Sequence, residues 1–204
     1  MTLHQTHVQD AAVVVLRRLT AAQALNAEVI HDLMSAPVGD TDAAITRALA
    51  RMGGFYGVDR AFVLAEVESG QIANTHDWKA PDSASCMAPL QGFSRAEADL
   101  WWVAGSGDLP LHVSDLHDLD AGDPRRAIAE RLAARSLLVV PLSRDGRFSG
   151  FVGYATCDAA REFLPGEISL IASVSGIIAA LLSRRAIEAE VARVRAAQDL
   201  ERKR

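Results

Sequence analysis

The sequence predicts an α+β fold: a mostly antiparallel sheet with helices on both sides, extended at each end by a long helix. Three observations carry that expectation. Two apolar runs, Leu137–Leu142 and Phe148–Tyr154, flank the polar turn Ser143-Arg144-Asp145-Gly146. Asp-Gly between such runs is a hairpin signal, because glycine accepts positive φ without steric cost. A second pair of short runs, Ala61–Val67 and Gln71–Trp78, is separated by Glu68-Ser69-Gly70. Both ends of the chain instead carry apolar residues at alternating spacings of three and four, the period of a helix seam.

The elements follow in order. A first helix runs from about Val8 to Met34, with Val8, Ala12, Val15, Leu19, Ala22, Asn26, Val29 and Leu33 in one seam. Val14, Leu16, Leu25 and Ile30 widen its apolar surface, so it is expected to touch both the domain and a partner helix. Pro37 and Gly39 end it. A second helix starts at Asp40 or Thr41, buries Ile45, Leu49 and Met52, and is expected to close at Gly53-Gly54. After the first hairpin, Lys79–Gly92 reads as loop. Ser94-Arg95-Ala96-Glu97 matches a capping box for a short helix carrying Leu100, Trp101 and Trp102. A short strand, Leu111–Val113, and an acidic loop come next. Asp123-Pro124 then reads as N-cap and first turn of a helix to about Ala134, ahead of the second hairpin.

Pro165 opens the last helix, about 60 Å long at ~1.5 Å per residue. Ile168–Leu182 is apolar nearly all round, suited to packing against a sheet. Beyond Ser183 only a stripe persists: Ile177, Ala180, Arg184, Ile187, Val191, Val194, Gln198 and Glu201. An apolar seam that outlasts its domain predicts a coiled coil with another chain. Val15, Leu19, Ile177, Ile187, Val191 and Val194 are the candidate dimerisation residues.

Composition narrows the function classes. The 204 residues carry a net charge of −5 and no dominant basic face, which argues against a nucleic-acid partner. Two cysteines, Cys86 and Cys157, are too few for a disulfide framework, so a reducing cytoplasm is expected. The N-terminus lacks signal-peptide order, and Ser169–Leu182 is too short and serine-rich for a membrane span.

Several motifs together resemble a GAF domain, the small-molecule-sensing relative of PAS. They are Asp42-Ala43-Ala44-Ile45, Gly57-Val58-Asp59-Arg60-Ala61, Asn74-Thr75-His76-Asp77-Trp78, Trp101-Trp102, the stretch Arg135–Leu142 and Gly150-Phe151-Val152-Gly153. The resemblance covers residues 40–182. It implies a sensory domain of the kind found in bacteria ahead of cyclic-di-GMP synthase or histidine-kinase output domains. It also implies a ligand held between one sheet face and the segments that join the second strand to the second hairpin. Those segments carry His76, Trp78, Phe93, Trp101 and Trp102, and the hairpin adds Tyr154. Aromatic walls with a few polar tips suit a planar organic ligand.

Other chemistries fit less well. His112, Asp115, His117, Asp118, Asp120 and Asp123 cluster in sequence but lack a recurrent metal-ligand spacing, so no metal is expected. Cys86 precedes Met87 and Cys157 precedes Asp158, so the cysteine-histidine pair of bilin-attaching relatives is missing. No catalytic constellation is evident. The sequence therefore divides into a helix (1–39), a sensory domain (40–182) and a linker helix (183–204) toward an output domain. A parallel cytoplasmic homodimer with a small-molecule ligand of unspecified identity is expected. A ligand-free dimerisation scaffold is the alternative, and a redox enzyme resembling free methionine sulfoxide reductase a more distant one.

Overall fold

The computed structural model describes residues 2–67, 70–85, 88, 90–94, 96–97, 99, 109–123, 125–144 and 147–202. The helices are α1 (Thr2–Ser35), α2 (Thr41–Tyr56), α3 (Arg126–Arg131) and α4 (Pro165–Arg202). The strands are β1 (Arg60–Glu66), β2 (Ile72–Lys79), β3 (Leu111–Val113), β4 (Ser136–Arg144) and β5 (Arg147–Thr156). They form one five-stranded sheet in the order β2-β1-β5-β4-β3, and every neighbouring pair is antiparallel. Both predicted hairpins are present. The Asp145-Gly146 turn itself lies outside the described residues.

Strand alternation divides the core into two layers. Ala61, Val63, Leu138, Val140, Leu142, Val152 and Tyr154 face α1, α2 and α4, which supply Val29, Leu33, Ile45, Leu49, Met52, Ile171, Val174 and Ile178. Phe62, Leu64, Ile72, Leu137, Val139, Phe148 and Phe151 face the other way, toward Leu90, Phe93, Val113, Ala129 and Leu132. Pro141 sits in β4 beyond the last residue paired with β3, where the outer edge needs no backbone donor.

Helices α2 and α3 differ in extent from the sequence expectation. Helix α2 passes through Gly53-Gly54 and stops at Gly57, whose φ of 62° is the left-handed C-cap conformation. Gly53 is needed elsewhere: a Cβ there would stand 2.2 Å from the Trp78 ring. Helix α3 spans only Arg126–Arg131, because Ala133 takes φ 47° and Ala134 N–H returns to the Ala129 carbonyl, closing the helix. The predicted box at residues 94–97 forms, with Ser94 N–H donating to Glu97 Oε2 (2.8 Å) and Glu97 N–H to Ser94 Oγ (3.2 Å). Most of the helix expected after it, including Trp101 and Trp102, lies outside the described residues.

The seam of α1 is mostly internal. Ala22, Val29 and Leu33 are fully buried in the chain's own core, and Asn26 Nδ2 donates to the Leu170 carbonyl at 2.9 Å. Leu19 rests against Gly166 of the same chain. At the far end of α1, Val13, Val14, Val15 and Leu16 remain exposed. Helix α4 is long and apolar enough to meet the length and composition test for a membrane span. Its first half is the core helix against the sheet, with Ile171, Val174 and Ile178 buried. Beyond Ser183 every described side chain is exposed, including Ile187, Val191 and Val194.

A charged tie joins α1 to the start of α4. Pro165 occupies the first turn as the sequence suggests, and the buried Glu167 accepts from Leu164 N–H at 3.0 Å. Its other oxygen accepts from Arg18 Nε at 2.6 Å, with Arg161 Nη2 3.9 Å away.

Candidate functional site

Of the six aromatic and histidine positions expected to line one wall, the four described ones do not share a face. Phe93 belongs to the layer of Phe62, Leu64 and Ile72. His76, Trp78 and Tyr154 lie on the opposite, helical layer: Val63 pairs with His76, Ala61 pairs with both Trp78 and Tyr154, and both Val63 and Ala61 face the helices. Trp101 and Trp102 lie outside the described residues.

For His76 and Trp78 the cause is a β-bulge; Tyr154 is placed by the unbroken alternation of β5. Val63 pairs with His76 but its neighbour Leu64 pairs with Asn74, so Thr75 is an extra residue in β2. Without the insertion Ile72, His76 and Trp78 would share one face, since their spacing is even. With it, Ile72 stays on the face of Phe93, while His76 and Trp78 turn toward α2 and α4. Trp78 then caps Gly53, and Tyr154 is completely enclosed. Burial pushes the Tyr154 phenol well above its ordinary value and lifts Tyr56 to about 12, where the nearby Glu167 carboxylate adds to the effect.

His76 is the polar centre of the helical face. Only 5% exposed, it contacts Asp42 Oδ1 through Nε2 at 3.0 Å and Thr75 Oγ1 through Nδ1 at 2.8 Å. In the neutral form that burial favours, Nε2–H donates to the carboxylate, and the Thr75 hydroxyl is shared between Nδ1 and the Val63 carbonyl, 3.4 Å away. Burial lowers the His76 pKa, and the bond to Asp42 opposes that shift. The same Asp42 oxygen accepts from Arg185 Nη1. One carboxylate on α2 thus joins the sheet edge to α4, at the point where α4 leaves the domain.

Beside this junction is a cleft of about 320 Å³. Its floor is the end of the sheet, at Ala65, Val67, Leu142 and Ser149, and its roof is α4, at Ala179, Leu182, Ser183 and Ala186. Thr75, His76 and Arg185 close one side. A second cleft of about 290 Å³ lies across Arg185, between Val38–Asp42 and α4.

On the other side of the sheet aromatic rings pack closely among the described residues. Phe62 packs onto Gly153, where a Cβ would stand 2.1 Å from the ring, and the Phe148 and Phe151 rings are 4.6 Å apart. Phe93 lies under the Arg131 guanidinium at 4.1 Å.

In the acidic stretch two carboxylates are held by arginines. Asp115 accepts two bonds from Arg135 (2.9 and 2.7 Å) and one from His117 N–H, which holds its carboxyl near 2. Asp123 is held near 2 in the same way by Arg125. No group of three or more potential metal ligands occurs among the described residues. Cys157 is half-buried with its thiol pKa raised, chiefly by burial, and Cys86 lies outside the described residues.

A family model for the GAF domain matches residues 40–182. The chain belongs to the GAF family. Solved structures agree with that fold. The blue-light absorbing form of the PixJ GAF domain from Thermosynechococcus elongatus aligns at TM-score 0.60 and 16% identity, covering 77% of this chain and 94% of that one. A phycoerythrobilin-bound GAF domain from a cyanobacterial phytochrome aligns at 0.62 and 12%, covering 82% and 97%. A domain of a putative two-component sensor histidine kinase from Sinorhizobium meliloti aligns at 0.54 and 19%, covering 74% and 96%. No curated protein matches the chain. In the GAF frame Asp42 and Thr75 fall inside the motifs that carried the resemblance, but nothing in their sequence context marks Arg185, one arginine among many in a charged helix.

Proposed function

We propose that this GAF domain is the sensory part of a cytoplasmic bacterial signalling protein. It pairs with a second copy through α1 and α4 and passes its state along α4 to an output domain for cyclic-di-GMP synthesis or phosphorelay. It is a binding and transmission module rather than an enzyme. One observation carries the reading: both long helices run past the domain with apolar side chains left exposed, Val13–Leu16 on α1 and Ile187, Val191 and Val194 on α4. Their spacing on α4, four then three, is the seam of a coiled coil.

The ligand in this reading is a small molecule on the sheet face that carries Phe93, under the segments joining β2 to β4. Neither cysteine is followed by histidine, so the pair by which bilin-attaching relatives would hold a linear tetrapyrrole is missing from the sequence. The burial of Phe62, Phe148 and Phe151 in one core cluster supports a second reading, a dimerisation module without a ligand.

Native mass spectrometry of the full chain separates the two. A dimer with added mass is the result expected of a sensor, and a dimer at bare chain mass that of a scaffold. A monomer overturns both. The double substitution Ile187→Lys with Val191→Lys is expected to convert the dimer to monomer at micromolar concentration. A persistent dimer would assign the pairing to α1 or to the domain.

A further inference from the structure

We propose that the cleft at the root of α4 is a second ligand site, on the helical side of the sheet, and that it takes a small aliphatic monocarboxylate. The inference stands apart from any ligand on the Phe93 face. Its volume of about 320 Å³ falls in the range of small-molecule sites. Ala65, Val67, Leu142, Leu182 and Ala186 supply apolar walls for a short hydrocarbon body.

The polar end is built by the bulge in β2. Consecutive strand residues ordinarily point to opposite faces, yet Thr75 and His76 both line this cleft. Their hydroxyl and ring are bonded to each other, so neither is left to hold an anion alone. The charge that selects the ligand is Arg185. Its guanidinium has five donors in a planar fork, of which Nη1 is engaged by Asp42 among the described residues. Among the residues lining the cleft, Arg185 is the permanently charged cation and Glu66, at the end of β1, the carboxylate, so the ligand's charged end belongs at Arg185. A carboxylate on the fork, with the Ser183 hydroxyl on the same wall, matches that charge.

Occupation has a mechanical consequence. Past Ser183 the described side chains of α4 are exposed, and the Asp42–Arg185 pair ties this stretch back to α2. Both partners are about half exposed, so their mutual attraction is weak and exchangeable. A bound carboxylate competes with Asp42 for Arg185. Asp42 keeps His76, and the exit angle of α4 is freed from α2. The ligand shifts that equilibrium only by its preference for the released state.

The test is titration of the full chain with hexanoate, followed by calorimetry and by amide NMR shifts, with hexylamine and hexanol as matched probes. The expected result is saturable hexanoate binding that shifts residues of α4 and β2. Arg185→Gln should weaken it at least tenfold, and Leu182→Trp, which fills the cleft, should abolish it; circular dichroism checks that both variants fold. Hexylamine or hexanol binding as tightly as hexanoate overturns the proposal. So does affinity unchanged in Arg185→Gln, or no saturation by hexanoate up to millimolar concentration. Binding that shifts only residues around Phe93 would place the ligand on the other face and overturn it as well.

Discussion

Ala133 holds φ at 47° in the residue that ends α3, a conformation that costs a residue with a Cβ about 1–2 kcal/mol. The side chain is exposed and contributes no packing to offset this. Ala133→Gly is therefore expected to stabilise the fold by about 0.5–1 kcal/mol, after the added freedom of the unfolded chain is subtracted, as read by chemical denaturation. A loss of stability would mean that the left-handed cap is not formed in solution. His76 gives a pH-dependent expectation. Its folded pKa lies below the ordinary 6.5 because burial disfavours the imidazolium, so the unfolded chain binds the proton more readily. The stability that neutral His76 contributes is complete above pH 6.5 and is lost as pH falls through 6.5 toward the folded pKa. Denaturation midpoints measured from pH 7.5 to 5 should fall more steeply for the parent than for His76→Gln. Parallel curves would show that His76 protonates freely in the folded state.

At the scale of elements, strand identity was legible and strand phase was not. Alternation and turn chemistry locate all five strands, because each burial period is written in the residues themselves. The Thr75 bulge leaves no such mark, since Asn-Thr-His-Asp-Trp reads equally well as an unbroken alternation. One inserted residue moves His76 and Trp78 from the predicted ligand wall to the helical core, and Phe93 is left behind. The end of α2 was misplaced for a related reason. A Gly-Gly pair reads as a stop, but Gly53 is present to admit the Trp78 ring, a contact between segments 25 residues apart in sequence. That contact makes its own prediction. Gly53→Ala places a methyl group inside the Trp78 ring and should cost about 1–3 kcal/mol as overpacking, despite alanine's better helix propensity. Gly54→Ala, in open space on the same turn, should be neutral or stabilising. Equal effects of the two substitutions in thermal melts would remove Trp78 from its place over α2.

For the whole molecule, the two seams that looked alike in sequence differ in what the chain itself covers: the α1 seam is buried from Ala22 to Leu33, and α4 is exposed beyond Ser183. The α1 seam from Ala22 to Leu33 is consumed by the chain's own α2 and α4, and Asn26 serves the Leu170 carbonyl rather than a partner chain. Periodicity shows that a face is apolar but not what covers it, so a helix packing on its own domain and one packing on a second copy read the same. Arg185 was illegible for the converse reason: its meaning comes from Asp42, 143 residues earlier and brought beside it only by the fold. The difference can be tested by truncation. Removing residues 184–204 deletes exposed side chains and, of the ion pairs it breaks, one that reaches the domain, Asp42–Arg185, a loss of about 0–1 kcal/mol. The truncated protein is expected to unfold cooperatively within a few degrees of the parent but to be monomeric by light scattering. Removing residues 1–35 instead strips Val29 and Leu33 from the core, at about 1.5–3 kcal/mol each, and uncovers the α4 surface they shield. That chain should lose its cooperative melt. If both truncations fold equally well, α1 is not part of the domain's core; if the first stays dimeric, the exposed stripe on α4 is not what holds two copies together.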